Sequence, residues 1–116
     1  MSNNYSEKSY NLLNKELIKG NFTATIADYK EVPALIDDDN TVIRDAFIKV
    51  TLNLSNNELL ETRWYSKRIS YIMFCINNQF SEITYSLKDL LEKCRTEKFN
   101  VQIDVDPKYG YQIDYK

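Results

Sequence analysis

The chain is 116 residues long, with Lys+Arg 15 against Asp+Glu 17, a net charge of −2 and 43% hydrophobic residues. Those proportions fit one soluble domain with a single core, expected to span 1–116, and they exclude collagen-like and low-complexity chains. The balance is also far from the strongly basic one of a duplex-DNA binder.

Histidine is absent, which removes the commonest general base and the commonest transition-metal ligand. Neither a Ser-His nor a Cys-His pair can form. No glycine-rich phosphate loop, GxSxG motif or paired-carboxylate pattern stands in their place. The expectation is therefore a protein that is not an enzyme and that holds no metal and no cofactor. Cys75 and Cys94 lack CxxC spacing and fall in helical patterns, so both read as core thiols rather than zinc ligands or a disulfide. No apolar run is long enough to span a membrane, and the polar opening MSNNYSEKSYNLLNKE lacks signal-peptide character; a cytoplasmic location is expected.

In chain order, residues 6–19 place Tyr10, Leu13 and Leu17 at helical spacing, with Ser6 as cap and Gly20 as stop, predicting an N-terminal helix over 1–20. The period then changes to two: Phe22, Ala24 and Ile26 alternate with Thr23, Thr25 and Ala27, a strand that ends near Pro33. Asp37, Asp38, Asp39 and Asn40 repel one another and predict a long, solvated loop. Across 46–54, Ile48, Val50, Leu52 and Leu54 alternate with Phe47, Lys49, Thr51 and Asn53. A turn at Ser55, Asn56 and Asn57 leads to a third strand over 59–66, whose inward set is Leu60, Thr62 and Trp64.

Ile69, Ile72, Met73, Ile76 and Phe80 predict one helix, and Leu87, Leu90, Leu91 and Cys94 a second. The second is better marked, with Ser86 and Asp89 as a capping-box variant and Lys93, Arg95 and Lys98 toward its end. Val101, Ile103 and Val105 then alternate as a fourth strand. A turn at Asp106, Pro107, Lys108 and Gly110 leads to a fifth carrying Tyr111, Ile113 and Tyr115.

Three strands, a helical connection and two strands match the order of the OB-fold, a five-stranded Greek-key barrel with a helix between its third and fourth strands. An α+β sheet with helices on one face has the same order. The stretches GNFTATIADYKEVP, DAFIKVTLNL, ETRWYS and NVQIDVDPKYGYQIDY resemble the small OB-fold single-stranded-DNA-binding proteins of phages and mobile elements in low-GC bacteria. Twelve asparagines and nine tyrosines are in keeping with an AT-rich coding sequence. The acidic C-terminal tail with which many of those proteins recruit partners is missing, since this chain ends QIDYK.

The resemblance implies a mainly β fold with helices (α+β), an OB-like core over 21–116, and a role as a single-stranded DNA- or RNA-binding replication-accessory protein. A polymerase, primase or helicase would be its partner, and no membrane is involved. In OB domains the second and third strands form the binding face. Alternation puts Phe47, Lys49, Arg63 and Tyr65 there, with Lys67 and Arg68 following and Lys108 and Tyr109 in the last turn. Phe47, Tyr65 and Tyr109 are the expected stacking platforms. Between Glu61 and Glu82 the only charges are Arg63, Lys67 and Arg68, a local basic run. The competing reading is an acidic protein-interaction module, or an inhibitor of a nucleic-acid enzyme, in which Asp37, Asp38, Asp39 and Asp45 mimic phosphate. In that case the strand aromatics and cations are half-buried packing and a solvated edge.

Overall fold

The computed structural model describes residues 18–80, 83–108 and 110–116. Among these, seven strands and two helices follow in the order β1 (Gly20–Val32), β2 (Leu35–Ile36), β3 (Val42–Arg44), β4 (Phe47–Leu54), β5 (Leu59–Tyr65), α1 (Ser66–Asn77), α2 (Leu87–Lys93), β6 (Phe99–Asp106) and β7 (Gly110–Tyr115). The protein is mainly β with helices. The helix predicted over 6–19 lies, apart from Ile18 and Lys19, outside the described residues.

The long strands make one antiparallel sheet in the order β5-β4-β1-β6-β7. Both helices fall between its third and fourth strands in chain order, as the sequence predicts. Strand alternation decides what is inside: Ile48, Val50, Leu52 and Leu54 from β4 meet Leu60 and Trp64 from β5 and Val101 and Ile103 from β6. The helices close this core with Ile72 and Ile76 of α1 and Leu90 and Leu91 of α2.

The expected barrel is not closed. No ladder joins β5 to β7, which remain the edges of the sheet. They meet through side chains: Trp64 Nε1 donates to the Tyr115 hydroxyl at 2.8 Å, and the rings pack edge to face with centroids 5.7 Å apart. A ladder needs backbones about 4.8 Å apart, and two large rings meeting edge to face hold them wider. Burial drives the Tyr115 hydroxyl pKa up, so the phenol stays neutral and its oxygen accepts the indole proton.

Further expectations are corrected. The stretch after Pro33 is a short hairpin, β2 paired with β3, rather than a long loop. Asp37 Oδ1 accepts the N–H groups of Asp39 and Thr41 at 2.9 Å each, and Asn40 takes φ 64°. A carboxylate accepting local backbone donors folds this acidic run into a turn despite its self-repulsion. The better-marked helix is also the shorter: α2 has 7 residues and α1 has 12. In α2 the Ser86 hydroxyl reaches Asp89 Oδ2 at 3.1 Å instead of capping the backbone.

α1 ends before Phe80, which the sequence pattern placed within the helix. Its last residue, Asn77, is buried, accepts the Tyr85 N–H at 2.9 Å and donates to the Tyr85 carbonyl at 3.2 Å. The cysteines are free, with Cys94 buried and Cys75 only half-buried.

Candidate nucleic-acid interface

The outer face of the sheet is set by register and by one irregularity. Ala24 and Ile26 face the core, so strict alternation would send Asp28 and Lys30 inward too. The β1–β4 register shifts between Ile26 and Asp28. One extra residue in one strand reverses the facing of everything beyond it. Beyond the shift Tyr29 pairs with buried Val50, and Lys30 pairs with Lys49 on the outer side. β1 is held in this path by α2 and the turn that follows it: the Ile26 N–H donates to the Cys94 carbonyl at 2.8 Å, the Tyr29 hydroxyl donates to Glu92 Oε2, and Arg95 Nε donates to Glu92 at 3.1 Å. The bond from Tyr29, and then that from Arg95, lowers the Glu92 pKa.

Three rows then cross β1, β4 and β5 on the outer face. Val32, Phe47 and Tyr65 form the first, Lys30, Lys49 and Arg63 the second, and Asp28, Thr51 and Glu61 the third. The middle row puts three cations directly opposite one another. Like charges in directly opposed positions destabilise a sheet by a few tenths of a kcal/mol to about 1 kcal/mol.

The first row gives the cations an aromatic border. Phe47 is 6% exposed; the guanidinium of Arg63 packs on its ring at 4.5 Å and that of Arg44 at 5.2 Å. Tyr65 lies against the same ring, centroids 5.2 Å apart, and its hydroxyl accepts from Arg63 Nη1 at 3.2 Å. Phe47 is therefore a support that fixes two arginines. Its expected role as a stacking platform is corrected, because its faces are already covered. Tyr65 is half-buried. Arg44 donates from Nη2 to the Pro33 carbonyl at 2.9 Å, while its buried Nε has no hydrogen-bond partner among the described residues.

Lys67 and Arg68 stand in the first turn of α1, which has no acidic residue and no side-chain cap. Cations there oppose the helix dipole. Lys67 Nζ lies 3.5 Å from Asp45 Oδ2, an exposed pair of little energetic weight. Arg68 packs over Tyr71 at 5.9 Å and joins Arg63 in lining a cleft of about 220 Å³ between the β5 and β7 edges. Lys108 is not brought to this face. Its backbone N–H bonds Asp106 Oδ1 at 2.7 Å in the β6–β7 turn, beyond the Gly20 end of β1 and away from Lys30. Tyr109 lies outside the described residues.

Lys30 and Arg44 are missed by sequence reasoning. Alternation carried on from Ile26 hides Lys30, and only the bulge reveals it. Arg44 falls in a stretch read as loop.

Among the described residues no group of three or more His, Cys, Asp or Glu side chains is placed to hold a metal ion, and no helix is long and apolar enough to cross a membrane. Compared with protein-family models, curated proteins and solved structures, the chain matches none.

Proposed function

We propose that the protein binds single-stranded nucleic acid across the outer face of β1, β4 and β5, as a replication-accessory protein with no catalytic role of its own. The observation that carries this reading is the Lys30–Lys49–Arg63 row, three directly opposed cations beside the Tyr65 ring. Cations spaced across adjacent strands follow a phosphate backbone, and a tyrosine ring receives a base; stacking contributes about 1–3 kcal/mol per base. The strand order and the helices between the third and fourth strands support an OB-like half-open barrel, in which this is the usual binding face. The acidic row of Asp28 and Glu61 bounds the patch on one side, which favours one narrow strand over a duplex.

Fluorescence anisotropy of a labelled single strand, titrated at two salt concentrations with duplex as the control, tests this. The expected result is salt-weakened binding to the single strand that exceeds binding to duplex. Absence of binding at high micromolar protein in low salt would refute it.

A further inference from the structure

Six of the eight exposed large hydrophobic residues among those described lie away from the cation row, on two surfaces of opposite charge. Leu35, Ile36, Val42 and Ile43, each 47–61% exposed, make up the β2–β3 arm. Its tip is the run Asp37, Asp38 and Asp39, fixed in shape by the Asp37 carboxylate turn. The other surface is on α1. Tyr71 and Phe74 are 60% and 62% exposed; Tyr71 follows Arg68 by three and Lys67 by four positions and Phe74 follows Tyr71 by three, so that cations and rings share one face.

We propose that copies of this chain associate with each other, the β2–β3 arm of one lying on the exposed α1 face of the next, with the acidic tip against Lys67 and Arg68. One surface is apolar with an acidic end and the other apolar with a basic end, so charge complementarity fixes the direction of docking. A contact between two different patches is heterologous, which lets copies add along a line. The arm needs little ordering on docking because its turn is already bonded. The patch is on the order of a few hundred Å², well below the roughly 800 Å² per partner of a stable interface. The association is accordingly weak, in the micromolar range, and is strengthened when copies are held side by side.

The contact uses surfaces outside the Lys30–Lys49–Arg63 row and is measured without nucleic acid, so it stands or falls separately from the reading above. Sedimentation velocity from low to high micromolar protein should show the wild type associating reversibly. An arm variant, Ile36→Ser with Ile43→Ser, and a helix variant, Tyr71→Ser with Phe74→Ser, should each weaken association about tenfold or more. An equimolar mixture of the two variants should form pairs, since the intact helix face of one still meets the intact arm of the other.

Should a serine variant fail to fold, charge reversal reads the same contact. Asp38→Lys with Asp39→Lys, which reverses the sign of the tip and keeps the Asp37 turn, and Lys67→Glu with Arg68→Glu should each weaken association, and all four combined in one chain should restore it. A wild type that stays monomeric at high micromolar concentration overturns the proposal, as does a helix variant that associates like the wild type. Two monomeric variants that do not pair on mixing would also overturn it, because that outcome points to contact between like surfaces.

Discussion

The two hairpins that flank β1 share a topology and an inner face but carry opposite outer faces. β4 and β5 present Lys49, Arg63 and Tyr65, while β6 and β7 present Asp104, Asp106 and Asp114 with Gln102 and Gln112. Inside, both do the same work: Leu52, Leu60 and Trp64 on one side and Val101 and Ile103 on the other are 2% exposed or less. Folding thus constrains one side of each hairpin and leaves the other free. The free sides differ: one is cationic with an aromatic border and the other is acidic without one. On the proposed reading, a polyanion is expected on the first half and not on the second, that is, on the β1–β4–β5 side.

The largest expected effect breaks what the halves have in common. Trp64 packs in the core, is 0% exposed and bridges β5 to Tyr115 on β7. Trp64→Ala should cost about 3–5 kcal/mol, read as a shift in the denaturation midpoint. Loss of less than 1 kcal/mol would mean that the two edges are not joined there.

Where the halves differ, substitution should act on binding rather than on folding. Tyr65→Ala should weaken single-strand affinity by about 1–3 kcal/mol in an anisotropy titration. Asp114→Asn, on the opposite half, should leave affinity equal or slightly higher. Equal losses from both variants would erase the distinction between the halves.

Smaller still is the stability cost of the cation row. Lys49→Thr removes the central charge between Lys30 and Arg63 and should raise stability by a few tenths of a kcal/mol while lowering affinity. A drop in stability would show the row to be structural.

Alkaline pH tests the common core. Burial raises the Cys94 thiol pKa from 9.0 to about 12. The unfolded chain releases this proton at the ordinary value and the folded chain holds it. Stability therefore declines as pH rises from 9.0 toward about 12. Melting temperatures across that range should fall, and Cys94→Val should flatten the decline. An unchanged slope in that variant would assign the loss to other groups, such as Tyr115.

The five strands of the main sheet, the core residues of β4 to β6 and the pairing of Phe47, Lys49, Arg63 and Tyr65 on one face were legible in the sequence, because a period of two is a direct record of which side is buried. Lys30 was not, since a bulge leaves no mark in an alternating pattern and reverses its reading. The β2–β3 arm was hidden for another reason. Its acidic turn depends on side-chain bonds from Asp37 that a reading based on charge repulsion does not anticipate. Phe47 was placed on the right face with the wrong role, as alternation reports facing but not what the neighbouring arginines cover. That the barrel stays open depends on the Trp64–Tyr115 packing, a contact between residues 51 positions apart that no local pattern encodes.

The central claim is that the cation row contacts phosphate, and the salt dependence of binding measures that directly. For a single strand the slope of log affinity against log salt changes by roughly 0.7 for each phosphate contact. Comparison of the wild type with the Lys49→Ala, Arg63→Ala double variant, folded to the same melting temperature or higher, should show a slope reduced by about 1.4 and affinity down by tenfold or more. A double variant that binds with the wild-type slope and affinity would contradict the account.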